Sequence, residues 1–372
     1  MRNRLFGPRW PAIVLTALFG LGIIAAARPA EALPQFAGRY GFSCQKCHTV
    51  VPALNAFGAA FYDNGYKVSS NIPPGPAFPV STKINLVYTS DPAPETFPKP
   101  IVDEVELLFA GSDNHRLSYF FEQYLVDGGA PGARREAWAS LRLDPDAARI
   151  PLALRAGSFT LPLPLDPETF RESYQHYAVW DQVVGVNPFT FFAPKIGVSA
   201  LAGNRGRGTS LIAAALQGHD EQSGLPARGI DTMFSVQHVM GPVTLSAYHY
   251  AGTRPGLVAD AFARQGAGAV LVSGRFEVDS VFQTGHDSSA DGAGIAARSA
   301  GGFSQIRYQF SPYVFGLARY EGTADGTGAF SRDFVGLLGR RIGHRERLTI
   351  EDVVQHVPQT KHTLNAQITI AF

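Results

Sequence analysis

The chain has 372 residues, of which 45% are hydrophobic and only 17% are charged, and its formal net charge is +1. The charged fraction is low against the roughly 25% usual for globular proteins, and a net charge so near zero gives no reason to expect a nucleic acid partner. No Walker phosphate loop and no GxSxG motif is present, so the sequence points to neither a P-loop nucleotidase nor a serine hydrolase.

The first 32 residues have the pattern of a secretory signal peptide. A start with Arg2, Arg4 and Arg9 is followed by an apolar run over residues 12–27 and by an A-x-A sequence that ends at Ala32. The run is about sixteen residues long, shorter than the ~20 that a membrane-spanning helix needs. We therefore predict cleavage after Ala32 rather than an uncleaved anchor. We also predict that the exported chain has no transmembrane helix.

Cys44, Cys47 and His48 form a CxxCH sequence, and the two cysteines are the only ones in the chain. CxxCH is typical of a c-type haem attachment site. Each thiol would add to one vinyl group of the porphyrin, and the adjoining imidazole of His48 would bind the iron as proximal ligand. The sequence therefore predicts one covalent haem c on Cys44 and Cys47.

Three other interpretations of the cysteine pair are weaker. A thioredoxin-like redox pair lies near a βαβ pattern, which is not visible here. A four-thiolate zinc site would need a second cysteine pair. A disulfide across two residues would close too short a loop to stabilise the chain much. The predicted export agrees with the haem interpretation, since it brings the thiols to the place where haem c is assembled.

Residues 33–72 form the predicted haem-carrying segment. Its apolar residues follow one helical face at spacings i, i+3 and i+7: Leu54, Phe57 and Phe61. Pro52 suits the first turn of such a helix, and Asn64 with Gly65 suits its end. The stripe could be an ordinary core face. We favour a face that covers the haem, because about forty residues cannot bury a core of their own.

Residues 73–79 are rich in proline and form a predicted semi-rigid link. From residue 80 to residue 372, short segments alternate apolar and polar residues between turn-forming residues, which is the pattern of a transmembrane β-barrel. The alternation is clearest in residues 272–279, 305–310 and 364–371. About 290 residues, at roughly 18 per strand and connection, predict ~16 strands, with ~14 as the other even number.

A soluble β-sandwich shows the same alternation, so the pattern alone does not separate the two folds. Low charge favours the barrel. So do aromatic residues near strand ends, where membrane-interface girdles lie: Tyr119, Phe120, Phe121, Tyr248, Tyr250 and Tyr313. Phe372 ends a predicted strand and resembles the assembly signal of outer-membrane barrels. We predict an all-β outer-membrane barrel with a short N-terminal helical haem c segment.

Residues 162–194 are too long and too mixed in composition for a hairpin turn, and such long loops are usually functional. Two placements are open, an extracellular loop or a loop folded into the lumen beside the haem. Within this segment, His176 is the candidate distal iron ligand, chosen from nine other histidines and two methionines, Met233 and Met240. Four arginines expected to face the lumen could pair with the haem propionates: Arg142, Arg155, Arg275 and Arg307.

Residues 34–68 resemble the haem segment of the fused outer-membrane cytochrome–porins, monohaem proteins best known from iron-oxidising bacteria. The resemblance rests on the residues around the CxxCH: residues 36–44, 47–49, 52–58, 61 and 64–66. Beyond residue 80 it is one of architecture, length and the terminal phenylalanine. It implies that Cys44 and Cys47 bind haem covalently and that His48 ligates iron. It identifies no distal ligand and no electron donor, because relatives occur in bacteria that do not oxidise iron.

The sequence thus predicts an outer-membrane cytochrome–porin of a Gram-negative bacterium. It would carry single electrons between an extracellular donor, with Fe(II) favoured, and a periplasmic carrier such as a soluble cytochrome. The alternative is a diffusion porin in which the haem segment is a plug or a redox gate. A haem enzyme acting on peroxide would need an acid–base residue beside an open distal site, and no motif marks one. The expected contacts are with outer-membrane lipid and these redox partners.

Overall fold

The structure is a computed structural model. It describes residues 36, 39–50, 52–68, 80–90, 100–113, 116–144, 150–167, 171–220, 225–343, 345–357 and 359–371. The predicted signal peptide, the link over residues 73–79 and Phe372 lie outside the described residues. In this described part of the chain, no helix is long and apolar enough to cross a membrane.

Four short elements come first in the chain: α1 Cys44–Cys47, β1 His48–Val50, β2 Ala53–Leu54 and α2 Ala56–Asp63. The wall strands follow: β3 Val80–Ser90, β4 Pro100–Ser112, β5 Leu117–Asp127, β7 Arg134–Arg142, β8 Leu152–Phe159, β9 Lys195–Asn204, β10 Arg207–Asp220, β11 Leu225–Met240, β12 Val243–Arg254, β13 Asp260–Ser273, β14 Phe276–Asp287, β15 Ala297–Ser311, β16 Val314–Ala324, β17 Phe330–Arg341, β18 Glu346–Val357 and β19 Gln359–Ala371. A two-residue strand, β6 Ala130–Pro131, lies in the connection from β5 to β7.

The wall strands form a closed antiparallel barrel of sixteen strands, because β5 pairs directly with β7 past the short β6. The barrel closes where β19 pairs with β3, with Ile368 opposite Leu86. Closure removes every free sheet edge, which a strand in lipid requires. Most wall strands reach the ~9–11 residues that cross a bilayer at a tilt. The predicted fold and the larger of the two strand numbers are confirmed.

Strand alternation sorts side chains between the outside of the barrel and its lumen. In β19, Asn365 and Gln367 are buried, whereas Leu364 and Ile368 are exposed. In β15, Gln305 is buried and Ile306 is exposed in the same way. Residues 272–279, in contrast, do not form one strand. They cross the hairpin between β13 and β14, where Gly274 takes a φ of +60° that suits a tight turn.

The predicted aromatic girdle is only partly present. Tyr119 and Tyr313 are exposed, as girdle residues would be. Tyr248 and Tyr250, however, are buried at 4% and 0% exposure and point into the lumen, while His249 between them is exposed. The prediction was wrong for these two tyrosines, because their shared position in the two-residue period of β12 places both on the inner face.

The two ends of the barrel differ in the length of their connections. At one end, four connections have two residues each: residues 205–206, 241–242, 274–275 and 312–313. The chain enters β3 and leaves β19 at this same end, which we call the short-turn end. The opposite, long-loop end carries the connection from β8 to β9, residues 160–194. We call that connection the long segment.

The long segment folds into the lumen. Arg319 of β16 donates to Ser173 Oγ at 2.8 Å, Glu351 of β18 accepts from the backbone N–H of Tyr174 at 2.9 Å, and Asn187 donates to Asp260 of β13 at 2.7 Å. A segment that bonds to strands on several sides of the wall must lie between them. Of the two placements left open by the sequence, the lumen is therefore the one observed.

Candidate haem site

The CxxCH sequence begins with a single helical turn that is tied to the next helix. In α1, the backbone N–H of Lys46 donates to Ser43 O at 2.9 Å. Asn55 then joins α1 to α2, because its side-chain amide donates to the carbonyls of Gln45 and Lys46, each at 3.2 Å. The backbone N–H of Asn55 also donates to Cys47 O at 2.9 Å. The turn that carries the two thiols is thus tied to α2 through Asn55.

The second helix is shorter than predicted. Asn55 is its N-cap, with Oδ1 accepting from the N–H of Gly58 at 2.9 Å, so the helix begins at Ala56. Leu54 lies in β2 and pairs with His48 instead of starting the helix. The helix ends as predicted, with Asn64 as C-cap and Gly65 at a φ of +68°. The helix therefore starts after the Asn55 cap, and not at Pro52, which the sequence had suggested for its first turn.

Glycine at position 58 allows α2 to lie against α1. A Cβ atom built there would stand 2.1 Å from the carbonyl oxygen of Cys47, a separation that real side chains do not show. A larger residue would push α2 away from the end of the CxxCH turn. Gly58 therefore sets the distance between the thiols and the helix that covers them.

Polar contacts attach α2 to the short-turn end of the wall. Arg205, in the connection between β9 and β10, donates to Asp63 Oδ1 from Nη2 at 2.8 Å and from Nε at 3.0 Å. Gly206 comes so close to Ala56 O that a Cβ there would lie at 2.1 Å. On the other side, Asn64 accepts a hydrogen bond from Arg142. We call residues 39–68, held in this way, the CxxCH segment.

Aromatic stacking holds the same segment in the lumen. Phe36 stacks on Tyr66 with ring centroids 4.7 Å apart, and Tyr66 stacks on Trp138 of β7 at 6.4 Å. All three rings are buried. Offset aromatic contacts add about 0.5–1.5 kcal/mol each beyond the area that they bury. The CxxCH segment thus packs on the barrel rather than on a core of its own, as its small size required.

Both cysteines and His48 line one cavity of about 290 Å³ between the CxxCH segment and the first part of the long segment. Its apolar walls come from the helix, the strands and the long segment: Phe61, Phe120, Phe159, Leu161 and Leu163. Of the predicted helical face, Leu54 and Phe61 line the cavity, whereas Phe57 lies against the ammonium of Lys46 at 4.5 Å. The structure thus brings the three CxxCH side chains together beside an apolar space.

The His48 imidazole is oriented by the backbone. Nδ1 lies 2.8 Å from Pro52 O, so Nδ1–H donates to that carbonyl and Nε2 is left as the ligating nitrogen. Burial lowers the pKa of His48, which keeps the ring neutral, the form that binds metal. Burial raises the pKa of the Cys47 thiol to about 11, so it is protonated near neutral pH. No disulfide joins the two cysteines.

The cavity carries charge of both signs. Of the described residues, five carboxylates line it, Asp63, Glu106, Glu122, Glu136 and Asp166, and three cations, Lys83, Arg155 and Arg205. Most of these groups come from the barrel wall or the long segment. The sequence analysis missed them, because alternation marks which residues face the lumen but not which of them meet across it.

The four predicted lumen arginines take different positions. Arg155 lines the cavity, lies 4.0 Å over the Trp138 ring and donates to the Tyr62 hydroxyl at 2.8 Å. Arg142 is paired with Asp144 at 2.8 Å, and Arg307 with Glu172 at 3.0 Å. Arg275 lies in the turn between β13 and β14. Of the four, only Arg155 is brought to the cavity.

His176 is not among the residues that line this cavity. Its Nδ1 lies 2.8 Å from Asp181 Oδ2, and its ring stacks on Phe192 with centroids 4.3 Å apart. Met233 is fully buried in the aromatic core of the lumen, and Met240 is exposed. None of His176, Met233 and Met240 lines the cavity that contains the CxxCH side chains.

The residues present fit a haem c. Two thiols and a backbone-oriented imidazole lie on one side of the cavity, apolar side chains flank it, and Arg155 offers a cation for a carboxylate. Apolar surroundings and hydrogen bonding to the ligand are the features by which proteins tune haem. The arrangement is therefore suited to hold a covalently bound porphyrin at the short-turn end of the lumen.

Comparisons with known proteins identify the fold. No protein-family model matches the chain, and no curated protein matches its sequence. Among solved structures, it is similar to an anion-selective porin from Comamonas acidovorans, with a TM-score of 0.62 and 10% identity over 79% of this chain and 98% of that one. It is also similar to OmpF of Salmonella typhi, with a TM-score of 0.60 and 11% identity over 79% and 97% of the two chains.

A third similar structure is the outer-membrane channel DcaP of Acinetobacter baumannii, with a TM-score of 0.56 and 10% identity over 79% and 96%. At such low identity the likeness concerns the course of the backbone alone. The chain therefore has the fold of the outer-membrane porins, and its resemblance to cytochrome–porins in residues 34–68 stays a prediction.

Proposed function

We propose that this protein is an outer-membrane monohaem cytochrome of porin fold that passes single electrons between an extracellular donor and a periplasmic carrier. The observation that carries the proposal is the cavity shared by Cys44, Cys47 and His48 inside the barrel. A CxxCH sequence held in the lumen of a barrel has no evident use in a simple diffusion pore. Bound there, the haem would supply a one-electron redox centre.

The porin fold and an outward face of apolar residues support the outer membrane as location. In bacterial barrels, short turns face the periplasm and longer loops face the outside. By this rule the CxxCH segment lies at the periplasmic end and the long segment extends from the extracellular end. The chain's own residues would then hold the haem within reach of a periplasmic partner.

An aromatic cluster inside the lumen favours electron transfer over the alternative, a diffusion pore in which the CxxCH segment is a plug or a redox gate. Sixteen-stranded porins enclose an aqueous channel. Here the long segment packs a buried aromatic cluster against the wall: Tyr177, Trp180, Phe189, Phe191, Tyr248, Tyr250, Phe262 and Phe303. A solute needs an open path, whereas an electron can tunnel through packed atoms. The diffusion alternative is favoured by the fold alone.

Ferrous iron is the favoured donor in this proposal. Among the described residues, no cluster of three or more His, Cys, Asp and Glu side chains could hold a metal ion. A donor ion that gives up one electron and leaves again needs no such tight site. Phe61 and Phe120 would shield the apolar side of the cavity from water.

The test begins with the cofactor. The purified protein should give a pyridine haemochrome spectrum with one haem per chain and a haem-stained band on a denaturing gel. Cys44→Ala with Cys47→Ala should abolish the stain. A stain that persists in the double variant would mean that the haem is bound elsewhere and that Cys44 and Cys47 are not its attachment points.

Electron transfer is then measured by stopped flow. Fe(II) is added to the oxidised, membrane-reconstituted protein, beside a His48→Ala control. The wild-type haem should be reduced faster than the control, at a pH where Fe(II) is a competent donor. Equal reduction rates for the wild type and the control would show that Fe(II) is not the donor. Rapid solute entry into liposomes that contain the protein would support the diffusion alternative.

The distal iron position is open to a separate test. His176 remains our proposed ligand, and ligation would require the part of the long segment that carries it to move from Asp181 toward the cavity. His176→Ala should then convert a six-coordinate haem spectrum to a five-coordinate one. An unchanged spectrum would show that His176 is not the distal ligand, and its contact with Asp181 would then be its only assigned role.

A further inference from the structure

A second opening leads to the CxxCH side chains from the short-turn end. A crevice of about 310 Å³ lies between the CxxCH segment and the wall, and Cys44 and His48 line it on one side. On the other side it is bounded by two turns of that end, at Gly274 and Arg275 and at Tyr313. Cys44 and His48 thus separate the inner cavity from a crevice that faces the short-turn side.

The mouth of this crevice is positively charged. Arg275 is exposed, and its guanidinium donates only to the backbone carbonyl of Phe310, at 3.4 Å. Arg341 lies over the ring of Tyr313 at 4.9 Å and against the side-chain amide of Gln45. Lys46 does not line the crevice, but it is exposed and follows Gln45, which does, and its ammonium lies over the ring of Phe57. Among the described residues, no carboxylate forms an ion pair with any of these three cations.

Two acidic groups of the same end are held in ion pairs. Asp63 is held by Arg205 and Asp144 by Arg142, each pair at 2.8 Å. Glu346, the first residue of β18, also lies at this end, and its carboxylate accepts from the backbone N–H of Arg345 at 3.4 Å. Among the described residues, Arg275 and Arg341 stay outside these ion pairs, beside the crevice that Cys44 and His48 line.

We infer that the short-turn rim around Lys46, Arg275 and Arg341 is a docking surface for an acidic, soluble redox protein. The inference rests on the proposed function, and it names the charge of the carrier and the residues that would meet it. Complementary charge at the rim of an interface steers encounter and raises the association rate more than it raises affinity. Arginine also forms bidentate bonds with the carboxylates of an acidic partner. One electron would pass from the chain's redox centre to the oxidised carrier, which leaves reduced.

Anionic lipid is the competing source of negative charge, but two features favour a protein partner. Arg341 is the last residue of β17. Its side chain faces inward and lines the crevice, so it does not point to lipid. Lys46 belongs to the CxxCH segment within the barrel rather than to the outer wall. A partner that reaches both must enter the mouth of the barrel.

The experiment uses the full-length holoprotein in a nonionic detergent, reduced with dithionite and freed of excess reductant. It is mixed by stopped flow with oxidised cytochrome c, either in its native basic form or succinylated on its lysines to make it acidic. At low salt the acidic form should accept electrons about tenfold faster, and added salt should reduce this advantage. Equal rates, or faster transfer to the basic form, would overturn the inference.

Matched variants locate the surface. Arg275→Glu with Arg341→Glu should slow transfer to the acidic form about tenfold at low salt. Arg298→Glu with Arg332→Glu, which places the same charge change on exposed arginines near the long-loop end, should change it less than twofold. Equal slowing by both pairs would overturn the docking site. If adding anionic vesicles slows transfer to the acidic form for the wild type but not for the first pair, the rim would be assigned to lipid instead.

The haem content and the rate of reduction by Fe(II) are measured on every variant first. If the wild-type protein carries no haem, both the proposed function and this inference are wrong. Normal haem content and normal Fe(II) reduction, with no preference for the acidic carrier, would end this inference alone.

Discussion

Two regions of the chain occupy the lumen, and they are held there by different balances of contacts. The CxxCH segment is attached by polar contacts, such as Asp63 with Arg205, and by stacking of Phe36, Tyr66 and Trp138. The long segment also makes polar contacts with the wall, and it adds large, fully buried side chains, with Trp180 at 0% exposure. The cavity that the CxxCH side chains line lies between the two regions.

The difference shows where a cofactor site can arise inside a packed barrel. A cavity costs free energy, because its lining loses contacts that close packing would supply. Beyond its first residues, the long segment avoids that cost by filling the lumen with aromatic rings. The CxxCH segment and the first residues of the long segment leave a cavity between them, which is consistent with a region that completes its packing around a cofactor. The two regions should therefore differ in how much stability is lost when one of their contacts is removed.

The largest effect is expected in the long segment. Trp180→Ala should lower the free energy of unfolding by about 3–5 kcal/mol, because it deletes a fully buried aromatic side chain. Phe57→Ala, in the half-buried helix of the CxxCH segment, should cost about 1–2 kcal/mol. Heat-modifiable gel mobility across a urea series measures both. Similar costs would mean that the two regions are packed alike.

A smaller effect is expected where the CxxCH segment meets the wall. Asp63→Asn leaves Arg205 without its carboxylate, which should cost about 2 kcal/mol. This is below the cost for a fully buried pair, because the Arg205 side chain is 23% exposed. Hydrogen exchange should rise in α2 while the barrel strands stay protected. Exchange that rises across the strands as well would mean that this pair stabilises the whole barrel.

Raising the pH should weaken the hold of the long segment on the wall. Burial raises the pKa of Glu172 to about 8, an effect larger than the opposing one of Arg307. The folded state therefore binds a proton more tightly than the unfolded chain, whose carboxyl has a pKa near ~4.3. Stability is fully present below that value and falls by up to about 1.4 kcal/mol per pH unit until the pH passes the folded pKa.

The corresponding experiment compares wild type with Glu172→Gln, whose side chain cannot ionise. Urea midpoints measured from pH 5 to pH 9 should fall more steeply for the wild type than for the variant. A parallel decline in both would assign the pH dependence to another group.

The smallest effect concerns the cofactor's charge environment. Arg155→Gln removes a cation from the cavity, which favours the oxidised haem by about 1 kcal/mol and lowers its midpoint potential by roughly 40 mV. Potentiometric titration measures the shift. Arg142→Gln is the control, because Arg142 is paired with Asp144 and is not one of the cavity residues. Equal shifts would show that Arg155 acts only through the general field of the lumen.

The sequence by itself determined the elements whose signals are local. Alternation along each strand reports which side chains face outward, low charge favoured a barrel over a sandwich, and the length of the region indicated a strand number near sixteen. The CxxCH spacing marked Cys44, Cys47 and His48, because three adjacent groups carry their chemistry in their order alone. The cap at Asn64 and Gly65 was local in the same way.

Tertiary structure decided everything that depends on groups far apart in the chain. Only the closed barrel brings Arg155, Glu136 and the start of the long segment to the CxxCH side chains, and no local pattern encodes which inward residues meet across a lumen. It placed Tyr248 and Tyr250 on the inner face, because the register of β12 overrides the apparent position of an aromatic near a strand end. It also turned the long segment inward, since buried rings such as Trp180 lower the free energy more by packing on the wall than by facing water.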